Sequence, residues 1–143
     1  MNKPFLIVAC LLCFACSLNA QKASSNITDR FFAIFENDPL QAIDYAFATN
    51  PYLESEKLAI ETLKNKYKKA ISQTGAYLGF EKIAEKAIAD RYKVCSFLLR
   101  YEKMPIRFTF IMYRAKETWC VNQLYYDSSM QVELEASIKQ DRL

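Results

Sequence analysis

The sequence predicts an α+β fold in which N-terminal helices pack on an antiparallel β-meander. Three observations predict it. Tyr92 to Asp127 carries nine aromatic residues, and apolar and polar positions alternate at period two through Ile106, Phe108, Phe110 and Met112, as on a half-buried pleated surface. Lys103-Met104-Pro105 and Arg114-Ala115-Lys116 divide this stretch into three runs of about ten residues, too closely spaced for crossovers, so the runs pair antiparallel. From Thr28 to Ile71 the apolar residues recur instead at helical spacing.

Residues 1–20 read as a secretory signal peptide. Lys3 supplies the positive start, Phe5 to Ala15 the apolar run, and Leu18-Asn19-Ala20 ends on a small residue before Gln21. That run is shorter than the roughly 18 to 20 residues that span a bilayer. Lipid attachment at Cys16 is the alternative, although Cys13 and Phe14 suit that signal poorly. The expected product is secreted or periplasmic, with 21–143 as a single α+β domain ending in a short C-terminal helix or tail.

Within that domain, Thr28 or Asp29 can cap a first helix carrying Phe31, Phe32 and Phe35 and ending at Asn37. Asp38-Pro39 opens a second over 39–49, and Asn50-Pro51 breaks it. A third begins near Ser55, places Leu58, Thr62, Leu63, Tyr67, Ala70 and Ile71 on one face, and stops at Gly75. Its lysines Lys64, Lys66, Lys68 and Lys69 spread around the cylinder beside Glu61, as on an ordinary solvated surface. Phe80 to Tyr92 has helical spacing in Phe80, Ile83, Ala84, Ala87 and Ile88, whereas a strand there would cover the bare edge of the meander. After Asp127, Met130, Val132, Leu134 and Ile138 stand among charges, in a short helix or tail.

The chain contains no histidine, which excludes imidazole-based triads and every histidine-containing metal site. Its two glycines, Gly75 and Gly79, make neither a phosphate-cradling loop nor a dinucleotide fingerprint. A formal charge of +3 makes no electrostatic case for nucleic acid. No cofactor, metal or catalytic residue is assigned. Cys10, Cys13 and Cys16 leave with the leader, and Cys95 and Cys120 fall on strands too far apart for the roughly 7 Å reach of a disulfide, so both are expected as free thiols.

The order of helices then meander, the run YEKMPIRFTFIMYRAKETW from Tyr101 to Trp119, the pair Tyr126-Asp127 and GAYLGF from Gly75 to Phe80 resemble small exported bacterial members of the nuclear transport factor two-like (cystatin-like) superfamily. The resemblance spans about residues 27–135. It implies a curved, cone-like sheet with its first strand over 80–90, and a homodimer through the sheet face that the helices leave uncovered. It is nearly silent on activity, because that fold hosts isomerases, dehydratases, transport factors and binding modules. Family members often carry a glycine before the aspartate of the first strand turn, where this chain has Ala89.

If the turns centre on Lys103 to Pro105 and on Ala115-Lys116, Phe97 faces Ile111 and Ile111 faces Cys120. One sheet face then gathers Tyr101, Arg107, Thr109 and Asn122, a guanidinium beside a phenol and an amide that could hold a carboxylate or other anionic group. Alternatively, Arg107 pairs locally with Glu102 or helix-borne carboxylates while Tyr101 packs. Phe108, Phe110 and Trp119 are expected in the core. The expected function is a non-catalytic binding or assembly module of the cell envelope, homodimeric, with a small-molecule ligand as a second partner class and neither nucleic acid nor membrane insertion after leader removal. The alternative is a small-molecule isomerase or lyase pairing Tyr101 with a carboxylate in the cone, for which Glu81 and Glu85 are the nearest acids.

Overall fold

The computed structural model describes residues 26–140; the expected leader, with Cys16, lies outside them. Helix α1 runs over 26–35, followed by α2 (Pro39–Ala48), a 3₁₀ segment (Pro51–Glu56), α3 (Lys57–Ile71), strands β1 (Tyr77–Ile88), β2 (Tyr92–Tyr101), β3 (Ile106–Tyr113) and β4 (Cys120–Asp127), and α4 (Met130–Gln140). The strands form one antiparallel sheet in the order β1-β2-β3-β4. The protein is therefore α+β, helices followed by a meander, consistent with a cone-like fold. Among the described residues no helix is long and apolar enough to cross a membrane.

The helix breaks follow local capping. Asp38 Oδ1 accepts from the backbone N–H groups of Leu40 and Gln41 at 2.9 and 3.0 Å, satisfying orphan donors of α2, and Pro39 fits the first turn because it has no N–H to lose. Asn50 repeats the device, accepting from Tyr52 N at 3.1 Å ahead of Pro51. Thr28 lies buried within α1, not ahead of its start. The apolar stripe of α3 runs through Ile60, Leu63, Tyr67 and Ile71, and Leu58, expected on it, is 82% exposed.

The ambiguous segment is a strand. Despite its helical spacing, β1 pairs with β2 from Tyr77 opposite Tyr101 to Ile88 opposite Tyr92, and Phe80 stacks on Phe32 with centroids 3.7 Å apart. Sheet pairing satisfies its backbone where an amphipathic helix would have had no second apolar surface to meet. Ala89 turns the chain from β1 into β2 at a φ of 46°, in the left-handed region that strains a side chain.

The register differs from the sequence expectation. Phe97 stands opposite Phe108, not Ile111, because the 102–105 connection is tied elsewhere: Glu102 N donates to Ala76 O at 3.1 Å and Lys103 N to Thr74 O at 2.9 Å. This odd-numbered slip moves Arg107, Thr109 and Ile111 to the face opposite Phe97. On β4, Tyr113 faces Cys120, but Ile111 faces Gln123, so Asn122 is the extra residue of a bulge. The inner face is thus Cys95, Phe97, Leu99 and Tyr101 with Phe108, Phe110, Met112, Val121 and Leu124, covered by Phe31, Phe32 and Phe35 of α1. Phe108 and Phe110 are fully buried and Trp119 is 4% exposed.

Cys95, buried, and Cys120, half-buried, are both free, on strands separated by β3. Burial pushes the Cys95 thiol up to about 11, so native labelling at neutral pH should modify Cys120 first and Cys95 only on unfolding, read by peptide mass spectrometry. Ala89→Gly should raise unfolding free energy by about 0.5 to 1 kcal/mol, since glycine removes the left-handed strain at a modest entropic cost. A denaturation midpoint that stays put or falls would show that Ala89 is unstrained.

Candidate functional site

Three polar assemblies stand out against the aromatic core. The first closes one end of the inner face. Tyr67 of α3 and Tyr101 of β2 share a hydrogen bond of 2.5 Å between their hydroxyls. Tyr77 and Tyr126 flank them, with ring centroids 5.5 Å from Tyr101 and 5.2 Å from Tyr67 respectively. The Tyr77 hydroxyl is buried without a hydrogen-bond partner. Burial holds all four phenols above their ordinary value, Tyr77 at about 12. Tyr101 accordingly serves as a neutral donor or acceptor at physiological pH.

The second assembly lies at the other end of that face. Glu85 receives Lys93 Nζ at 2.6 Å and Lys82 Nζ at 2.5 Å. Partial burial raises the Glu85 pKa, but the two ammonium groups outweigh it, and the carboxyl ends below its usual value. Lys93 and Arg114 approach the Trp119 ring at 5.6 and 5.4 Å from its centroid, cation–π contacts that hold the indole in place. The Lys93 side chain is only 6% exposed, so this charge is tolerated because Glu85 sits against it.

The third assembly is on the outer face. Arg107 grips Asp127 in a fork, Nε to Oδ2 and Nη2 to Oδ1 both at 3.0 Å, a geometry that uses the guanidinium plane fully. Beside it the Ser96 and Thr109 hydroxyls meet at 3.1 Å. Over Arg107 runs α4, and between helix and sheet opens a groove of 720 Å³ lined by Ile83, Leu98, Pro105, Met130, Leu134 and Ile138, with Gln131 and Glu135 at its polar edge.

The structure does not bring the four expected ligand residues together. Tyr101 points into the inner face against Tyr67. Arg107 and Thr109 lie on the outer face, the former with Asp127 and the latter with Ser96. Asn122, at the β4 bulge, borders a separate cleft against α3 with Leu63 and Tyr125. The slipped register separates them. Of the candidate acids, Glu81 pairs with Arg100 at 3.3 Å and Glu85 with its two lysines, neither with Tyr101. Among the described residues no group of three or more Cys, Asp or Glu side chains could hold a metal. The groove was missed although its signal was present: Met130, Leu134 and Ile138 recur at four-residue spacing, one face of a helix.

Compared with known proteins, the chain matches no protein-family model, no curated protein and no solved structure.

The phenol cluster makes a pH prediction. Folding raises these pKa values above the ordinary value of 10, so the folded chain keeps protons that the unfolded chain loses. Their stabilisation is complete below about pH 10 and is lost as pH climbs toward about 12. Urea midpoints should fall over that window, and less steeply in Tyr67→Phe, which should cost about 1 kcal/mol at neutral pH. Equal slopes in the two proteins would contradict the cluster's role.

Proposed function

We propose that this chain is an exported, non-catalytic binding or assembly module of the cell envelope, homodimeric through its sheet, from the nuclear transport factor two-like superfamily, and that it takes an elongated apolar ligand between α4 and the outer sheet face. The carrying observation is the groove itself. Its walls are aliphatic, yet Leu134 and Ile138 remain 63% and 51% exposed, an arrangement whose free energy improves when a ligand displaces water from it. Arg107 in its lining is neutralised by its pair with Asp127, so the site favours apolar length over net charge.

Export rests on Lys3, the apolar run and the small residue at Ala20, which make the product secreted or periplasmic. The isomerase or lyase reading retains one supporting observation, the phenol pair in the cone. Against it, the two acids that could serve as base are held by cations elsewhere, and the phenols are shielded by Phe35, Phe108 and each other.

Titration with a fluorescent fatty acid should saturate at one site per chain. Leu134→Asp should weaken binding by roughly tenfold or more, corresponding to loss of most of one buried leucine's contribution, with far-ultraviolet dichroism unchanged. Tyr101→Phe should leave the affinity within about twofold of wild type. No saturable binding, or binding that ignores Leu134→Asp but responds to Tyr101→Phe, would overturn the groove as the ligand site and favour the cone.

A further inference from the structure

The two edges of the sheet are treated differently. At the β4 edge, Val121 N donates to Thr49 Oγ1 at 2.9 Å and Val121 O accepts from Asn50 Nδ2 at 3.2 Å, so the two residues that follow α2 satisfy the outward groups of Val121. At the β1 edge Leu78 O accepts from Arg100 Nη2 at 3.3 Å, near the start of the strand; among the described residues, no backbone–backbone hydrogen bond outside the sheet involves residues 77–88. Residues 81–88 are all exposed. Strands average about five to six residues, and this one runs for 12 without a proline.

Such an edge invites strand addition unless charges or a bulge deny it. Both devices are here, and together they admit one partner. In an antiparallel pair about a two-fold axis normal to the sheet, facing residues must lie on the same side of it, so in a regular strand only residues an even number apart can face each other. The bulge at Ile83 breaks that parity. Lys82 stands opposite Phe97 and Ala84 opposite Ser96, which puts Glu81, Ala84 and Lys86 on the outer side and Lys82 and Glu85 on the inner. Ile83 faces outward too, into the groove beside Leu98.

We infer that β1 pairs antiparallel with β1 of a second copy of this chain, in the register that sets Glu81 opposite Lys86, Lys82 opposite Glu85 and Ile83 opposite Ala84. Each of these pairs joins residues on one side of the sheet, and each charged pair joins opposite signs. Around the axis each occurs twice, and Lys82 and Glu85 of the two copies close a ring of four charges. A slip of one residue either way sets Glu81 against Glu85 or Lys82 against Lys86, like against like, with sides mismatched. Charges that repel a foreign strand therefore select a copy of their own. The result is one sheet running β4-β3-β2-β1-β1-β2-β3-β4, with Thr49 and Asn50 capping Val121 at each outer edge. This inference rests on the reading of the chain as a self-associating module and specifies the surface it uses.

Sedimentation equilibrium on the protein tests it. Wild type should dimerise in the micromolar range. Lys86→Glu, and separately Glu81→Lys, each sets like charges opposite one another twice and should weaken the dimer by roughly tenfold, more at low salt. Both side chains are exposed, and Glu81 gives up only a surface pair with Arg100, so neither change threatens folding. The double variant Glu81→Lys/Lys86→Glu restores opposite signs in every position and should return the dissociation constant to within about twofold of wild type. An equimolar mixture of the two single variants should likewise form a heterodimer. A wild type that stays monomeric to about 100 μM, well above ordinary dimer affinities, overturns both this pairing and self-association. A dimer indifferent to both single changes, or a double variant as weak as the singles, overturns the edge pairing alone and transfers self-association to the outer sheet face.

Discussion

The contact between three phenylalanines of α1 and the inner sheet face is the interaction on which the other features depend. Phe31 meets Phe110 edge-on at 4.9 Å, Phe32 stacks on Phe80 and reaches Phe97 at 4.9 Å, and Phe35 approaches Phe108 at 5.8 Å and Tyr67 at 6.0 Å. One short helix thereby touches β1, β2, β3 and α3. Burying each ring is worth roughly 1.5 to 3 kcal/mol before any ring-ring geometry is added. This contact places the interior on the side of the sheet that carries Phe97, Phe108 and Phe110.

Once that side is chosen, the rest is constrained. The inner face ends in polar groups at both extremities because the aromatic filling stops there. Four phenols close one end, Tyr67 and Tyr101 bonded to each other, and Lys82, Glu85 and Lys93 close the other beside Trp119. The outer face lies away from the phenylalanines of α1. It carries Arg107 and Asp127, Ser96 and Thr109, and aliphatic residues that α4 overhangs. The groove therefore lies on the side away from the aromatic core, and the edge at β1 belongs to neither face.

Charge placement follows the same logic. The buried Lys93 is compatible with the core only because Glu85 reaches it, and Glu85 is held ionised in turn by Lys82. Arg114 donates to Asp90 O at 2.7 Å while Arg91 donates to Arg114 O, Ala115 O and Lys116 O at 3.4, 3.3 and 3.0 Å. These two arginines bind the β1–β2 turn to the β3–β4 connection, a role for basic residues that composition alone would assign to the solvated surface.

The sequence by itself determined the elements: α1 through its phenylalanines, α2 through Asp38-Pro39, the break at Asn50-Pro51, and three strands through the alternation from Tyr92 to Asp127. These are local properties, set by dihedral preference, capping and side-chain period within a few residues. It also marked Phe108 and Phe110 on β3 and Trp119 just ahead of β4, large apolar groups that end up buried. The facing of residues across strands was decided only by tertiary structure. Whether Phe97 meets Ile111 or Phe108 depends on Glu102 and Lys103 bonding back to Ala76 and Thr74, and whether Leu124 or Tyr125 turns inward depends on the bulge at Asn122. One such shift inverts every side chain beyond it, because the strand period is two. For that reason Tyr101, Arg107, Thr109 and Asn122, each plausible singly, never meet. The same non-locality turned 77–88, helical in its spacing, into an edge strand, because β2 offered its backbone partners where no second apolar surface awaited a helix.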